Sequence, residues 1–454
     1  MKFISILILS ILVSGVINAQ EKQIDAKEES KWGKLEGQLR LYHVFSPAYI
    51  KSGRTTDNTI EGSTIGGHLR YYTPKLSGFG ATTAVYYARG TGLNDKFHED
   101  SIVAAGRFFT RNYSAKAVLG EANVHYKDKT HHAMAGRYKI DTPITNAIFT
   151  YMPHMYQAFQ YTNLALDSTK ITLLQIEKMA YGNRSPVEFG LIGEVTGTGG
   201  VAQNGLDTRG DFIDIEEQTL GVSSAKTDGV TGLGLENTSI PDTKLRLWDF
   251  YGHDIMNMLY LDATYKPKDA SLPYSLAGQY LRIDSVGDEL ALNPSLPIKF
   301  MDSTSAYLVG LKATLTYNKA FFYLAYNHSG DSRLFNPWGG DPAYTSSFFS
   351  KNAYRANVNA YKFGFNYQLL ENLKLITSHA QYSKSTTKGK FAPIDAGGLK
   401  LPENNAFESA FLFSYNPFKK LNILGGLIYK TSEHNYLNEQ VKLLDVDLLV
   451  TYKF

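Results

Sequence analysis

The residues of this chain that could do chemistry are charged side chains set at every second position of otherwise apolar runs. Arg70, Arg137, Lys139, Arg246 and Arg282 each stand opposite a row of apolar neighbours, and so do Glu121, Asp262 and Glu408. Successive side chains of a strand point to opposite faces, so such spacing gives one greasy face and one ionic face. The chemistry this array can perform is electrostatic filtering of solutes, not bond making. A charge at bilayer depth costs roughly 2–4 kcal/mol on a lipid-facing wall, whereas in a wet interior it stays solvated. The alternation therefore assigns these eight side chains to a lumen, with the basic members forming a track that draws anions inward.

Bond-making chemistry finds little support. The chain has no cysteine, which excludes disulfides, thiolate metal sites, cysteine nucleophiles and a lipid-modified cysteine. No G-x-S-x-G, H-E-x-x-H or P-loop pattern occurs. His125, His131 and His132 flank a short turn without a matching carboxylate pair, so a surface or interfacial role outranks a metal site. The acidic run Asp211, Asp214, Glu216 and Glu217 reads as solvated, with a divalent cation bridging lipopolysaccharide as the alternative. A net charge of +3 gives no case for nucleic acid. No cofactor is implied.

The elements that must position these charges are strands. Phe454, Tyr452, Val450, Leu448, Val446 and Leu444 form an unbroken apolar face in the last segment, the pattern of a closing strand in an outer-membrane barrel. From 35–45 to 441–454 the same reading gives eighteen strand-like runs, an even number. Short polar connections such as 167–168 and 318–319 alternate with longer ones such as 46–62, 90–116, 181–229 and 329–355; 252–254 is the exception. Short on one side and long on the other marks an up-and-down barrel. Thirty-one Tyr and 25 Phe suit interfacial girdles, and a mean hydropathy of −0.24 is compatible with strands apolar on one face only.

At the amino end, Lys2, the apolar stretch 3–16 and Ile17-Asn18-Ala19 form an export signal over 1–19. A short periplasmic segment, 20–34, precedes the barrel over 35–454. Those fifteen residues leave no room for a plug domain. The first run turns Leu35, Leu39 and Leu41 outward and Glu36, Gln38 and Arg40 inward; later runs place Lys312, Thr314, Lys362 and Asn366 inside.

One connection is unusual. The segment 141–156 carries Ile144, Ile148, Phe149, Tyr151, Met152, Met155 and Tyr156, which would be costly to leave in water. It is expected to fold into the barrel and narrow it, with Asp141, Thr145, Asn146 and His154 free to face a solute. Here the chain resembles the OprD-like family of outer-membrane porins. The likeness rests on Gly136-Arg-Tyr-Lys-Ile-Asp-Thr-Pro143 with its loop and Gln157-Ala-Phe-Gln160, on 254–267, and on the Gly- and Ser-rich stretch 339–349. It implies an eighteen-stranded channel constricted by its third and seventh outer loops, passing small solutes such as carboxylates, amino acids or peptides past basic side chains that face acidic loop residues. Carried over, Arg137 and Lys139 lead into the third loop, Asp331 and Asp341 lie in the seventh, and Arg70 and Arg282 join the basic set by facing alone. The long fourth loop and short fifth depart from the family and leave pore width open.

The expected molecule is an all-β, transmembrane, antiparallel up-and-down barrel in a Gram-negative outer membrane. It acts as a passive channel and not as an enzyme. Its partners are small hydrophilic solutes, outer-membrane lipid and lipopolysaccharide, the barrel-assembly machinery through the last strand, and a second and third copy if it trimerises. A receptor or adhesin, or a barrel enzyme, using the long outer loops is the alternative.

Overall fold

Among the described residues, eighteen antiparallel strands close into one cylinder. They are β1 (Lys34–Ser46), β2 (Ile60–Tyr72), β3 (Phe79–Gly90), β4 (Lys116–Lys127), β5 (His131–Tyr138) and β6 (Met155–Leu166). Then follow β7 (Thr169–Ala180), β8 (Val230–Asn237), β9 (Thr243–Gly252), β10 (Met256–Tyr265), β11 (Tyr274–Ser285) and β12 (Ser305–Tyr317). The last six are β13 (Ala320–Ser329), β14 (Asn359–Leu370), β15 (Leu373–Tyr382), β16 (Ala406–Phe418), β17 (Leu421–His434) and β18 (Glu439–Lys453). The computed structural model describes residues 31–46, 49–51, 60–92, 114–147, 150–182, 209–215, 228–287, 303–332, 334, 336–348, 356–383, 405–434 and 439–454. The signal segment expected at 1–19 lies outside them, as do Ile148, Phe149, Glu216 and Glu217.

Each strand pairs with its chain neighbours, and the ring shuts where β1 meets β18, with Gln38 opposite Lys453 and Phe45 opposite Val446. Gly37 and Phe454 exchange backbone hydrogen bonds of 2.9 and 3.0 Å across this seam. At Gly37 a Cβ would come within 2.3 Å of the Phe454 ring, so a larger residue there would have to displace that ring. All the strands expected from alternation are present, with ends shifted by a few residues. Two short ribbons, Tyr49–Lys51 and Ile213–Asp214, extend β18 and β7 beyond their neighbours.

At one end of the cylinder the connections are tight. Ser168, Asp242 and Asn318 take φ of 57°, 58° and 51° there, a left-handed region that Asn and Asp tolerate better than most residues. In the β4–β5 turn the Asp128 carboxylate accepts the N–H groups of Thr130 and His131, both at 2.7 Å. Those bonds hold its pKa down at about 2. At the other end lie the long connections, among them L3 (139–154) and L7 (330–358); 253–255 is short, as expected.

The outer wall is apolar all round. Val124 is 62% exposed on β4, Leu311 65% on β12 and Leu324 60% on β13. Leucines so placed would be strongly disfavoured in water and belong against hydrocarbon. Among the described residues no helix is long and apolar enough to cross a membrane.

The inner wall is not uniformly wet. From β5 to β12 its upper half carries Tyr138, Trp248, Phe250, Met256, Met258, Leu281, Ile283 and Leu308, all buried in one cluster with Ile144 of L3 and Trp338 of L7.

Candidate pore constriction and lumen

Both long loops enter the cylinder and bond to each other. Tyr156, at the root of L3, donates its hydroxyl to the Trp338 carbonyl of L7. Asn336 Nδ2 donates to the Ile144 carbonyl at 2.8 Å, and Gly340 N–H donates to the Asn146 carbonyl at 3.1 Å. Close approach explains the glycine at 339, where a Cβ would collide with the Ile144 carbonyl and the Thr145 backbone. The described apolar residues of 141–156, namely Ile144, Tyr151, Met152, Met155 and Tyr156, are all buried.

Each loop is also tied to the wall. Tyr151 of L3 crosses to β2, donating to the Thr64 carbonyl at 3.0 Å and sharing a 2.6 Å bond with its hydroxyl. Tyr181 donates to the Pro337 carbonyl at 3.0 Å. Gly182 N–H donates to His154 Nδ1 at 3.0 Å, so that nitrogen is an acceptor, and burial pushes the imidazole pKa down to about 4. L7 then runs along β12–β16. Lys312 sets its ammonium 4.2 Å from the Tyr344 ring centre, and Asn327 Oδ1 accepts Thr345 N–H at 2.9 Å. Tyr382 donates to the Thr345 carbonyl at 2.7 Å, Lys362 to the Ser346 carbonyl at 2.6 Å, and Glu408 accepts Phe348 N–H at 2.8 Å. Alternation shows Lys312, Lys362 and Glu408 pointing inward. Their task as loop anchors was invisible because it depends on backbone atoms of a distant segment.

Below the loops, toward the tight-turn end, the interior carries two sets of ions. The first centres on Arg70, whose Nη2 lies 2.5 Å from Glu121 Oε1 and 2.9 Å from the Tyr86 hydroxyl, with Nη1 3.2 Å from Glu36. Glu121 is aimed inward by a β-bulge: Ala84 pairs with Glu121 and Val85 with Leu119, leaving Gly120 as the extra residue. The second set spans β7–β12. Glu236 bridges Lys170 at 2.8 Å and Lys244 at 2.5 Å, and Arg246 grips Asp262 through two bonds of 2.7 and 2.6 Å. With Lys312 beside them, that wall shows four cations against two carboxylates.

Three of the expected lumen residues face the other way. Arg137 alternates with Tyr138, and Lys139 lies between Tyr138 and Ile140; both of those apolar residues are buried in the inner cluster. Arg137 and Lys139 therefore take the opposite face, where the Arg137 guanidinium lies 4.3 Å over the Phe212 ring and Lys139 approaches Asp141 at 4.0 Å. Arg282 likewise alternates with the buried Leu281 and Ile283. It stands exposed on the outer wall, paired with Asp284 at 2.7 Å. The cause is common to all three. Where the loops fill the lumen the inner wall is apolar, so the rule that charges mark the wet face reverses.

The remaining candidates are spread along the loops. Asp141 is exposed at the start of L3. Asp331 is exposed at the start of L7, and Asp341 Oδ1 accepts Ala343 N–H at 2.9 Å within it. The histidines separate. His125 and His132 face inward with ring centres 6.5 Å apart, and His131 Nδ1 meets the Tyr161 hydroxyl on the outer wall at 2.7 Å. Asp211 and Asp214 are each met by a lysine, Lys116 at 3.0 Å and Lys178 at 2.8 Å.

No protein-family model matches the chain, and no curated protein matches it in sequence. Solved structures do match. OccK9 (OpdG) of Pseudomonas aeruginosa superposes with a TM-score of 0.70 at 14% identity, over 93% of this chain and 98% of its own. The outer membrane protein OpdK of the same organism gives 0.66 at 13%, over 93% and 98%. OccAB3 of Acinetobacter baumannii gives 0.65 at 14%, over 93% and 99%. At such identities the likeness is one of fold: the cylinder superposes on those of these outer-membrane proteins.

Proposed function

We propose that this chain is an OprD-like outer-membrane porin, a passive channel that admits small hydrophilic solutes and prefers those carrying carboxylates. The observation that carries the reading is the bonding of L3 to L7 inside a closed cylinder. A receptor or adhesin has no use for a constriction, and among the described residues neither loop brings together a nucleophile and a base. Long loops then face the exterior and tight turns the periplasm. Solutes are screened by width at the loops and by charge beneath them, where the β7–β12 wall carries more cations than carboxylates. Two structures of the same fold fit that preference: OpdK has been solved with vanillate, and OccK2 (OpdF) in complex with glucuronate, both carboxylates.

The test is electrical. The purified full-length chain, reconstituted in planar bilayers, should give discrete conductance steps and, under a salt gradient, a reversal potential of the anion-preferring sign. Absence of steps would remove the channel; a cation-preferring sign would remove the carboxylate preference and leave the channel standing.

A further inference from the structure

We propose that the outer wall holds a binding site for one phosphorylated, acylated lipid of the outer leaflet, with its chains in a groove across β9–β12 and its headgroup at Arg282. A cavity of about 920 Å³ opens on the outward face of these strands. Its floor is made by small residues, Ala263 and Gly278, and its sides by Leu245, Leu261, Tyr280 and Leu311. At Gly278 an added Cβ would meet nothing closer than Leu311 Cδ2 at 3.8 Å, so the hollow is real space and not a tight contact. These residues share the outward parity of the exposed Leu276, Leu311 and Tyr307.

The second observation is the cation at its upper edge. Arg282 lies two residues beyond Tyr280 on the same face of β11, about 7 Å nearer the long-loop end. Its side chain is half exposed, at 50%, on a wall otherwise given to hydrocarbon. Both of its bonds to Asp284, of 3.0 and 2.7 Å, come from Nε. The guanidinium also bonds Tyr280, so a phosphate would share it with Asp284 and Tyr280 through its remaining N–H groups, the donor fork for which arginine is suited. Around it lie amphipathic side chains at headgroup depth: Tyr307 packs on His328 with ring centres 6.3 Å apart, and the Tyr326 hydroxyl and His328 Nδ1 both reach Asn359 Oδ1, at 2.7 and 3.1 Å. An apolar hollow capped by a cation and a tyrosine girdle has the chemical order of an anionic lipid read from chain to head. A second copy of the chain could also fill the hollow, but the outer wall it would present is largely apolar and would bring no phosphate to Arg282.

Native mass spectrometry of the full-length protein, refolded in a mild detergent with added lipid A, reads the site directly. The wild type should retain lipid A. Gly278→Leu, which fills the hollow, and Arg282→Gln, which removes the cation, should each lower retention about tenfold, equivalent to roughly 1.4 kcal/mol. Both variants should keep the wild-type conductance, so a loss of lipid with intact current is separable from failure of the channel reading. Equal retention by all three proteins would overturn the proposal. So would equal retention of an uncharged lipid bearing the same chains, displacement of lipid A by inorganic phosphate alone, or a multimer of the wild type that Gly278→Leu dissociates.

Discussion

Glu121 owes its inward aim to one extra residue, and the ions around it depend on that. With its side chain buried against Tyr86, it satisfies an arginine that is itself only 21% exposed. Replacing Glu121 with alanine would leave Arg70 only Glu36 and the Tyr86 hydroxyl, and removal of one partner from such an ion pair costs roughly 3–5 kcal/mol. Urea unfolding from lipid vesicles measures this; a loss below about 1 kcal/mol would show that water reaches Arg70 and screens it. Arg70 was legible from alternation because its strand, β2, keeps an apolar row on the outside, at Leu69. Arg137, Lys139 and Arg282 were not. Their neighbours Tyr138, Ile140, Leu281 and Ile283 are equally apolar, yet those residues pack against a loop. A local pattern cannot tell hydrocarbon from a protein plug, since both reward the same side chains.

At the scale of elements, the two loops form a single inner structure whose joints can be broken one at a time. Asn336 serves three backbone groups, donating to Ile144 and Gly340 and accepting from Trp338 at 3.1 Å. Asn336→Ala would strand buried partners at about 1–3 kcal/mol each. It should appear as added noise and subconductance states in single-channel records; a trace as quiet as wild type would place the joint elsewhere. His154 gives the L3 root a dependence on pH. Its folded pKa, about 4, lies below the ordinary histidine value of about 6.5, so the unfolded form binds the extra proton. The docked loop is therefore fully favoured above about pH 6.5 and loses that support as pH falls through about 4. Conductance fluctuations should rise across that window in the wild type and stay flat in His154→Asn, which keeps an acceptor but cannot titrate. Identical acid responses in both proteins would remove His154 from the account. The apolar composition of L3 argues for a place inside the barrel; that L7 anchors it does not show in the sequence, because most of their joints are made through backbone carbonyls.

For the whole molecule, closure decides everything else. A barrel has no edges only while every strand has two partners, and β18 is held by β17 on one side and β1 on the other. Deleting the final twelve residues, from Leu443 onward, would uncover the ladder of β1 from Gln38 to Phe45 and that of β17 together. Two open edges inside hydrocarbon leave backbone groups unpaired at several kcal/mol apiece, far more than the few kcal/mol by which folded chains are usually stable. The truncated chain should therefore fail to insert into vesicles, to shift its electrophoretic mobility on heating, or to conduct. Substituting Phe454 alone with alanine is the milder probe. It removes the ring that lies over Gly37 while leaving both seam hydrogen bonds to the backbone. Folding should then slow yet still reach the wild-type conductance. If the truncated chain instead gave wild-type conductance steps, the seam between first and last strand would not be what closes the channel.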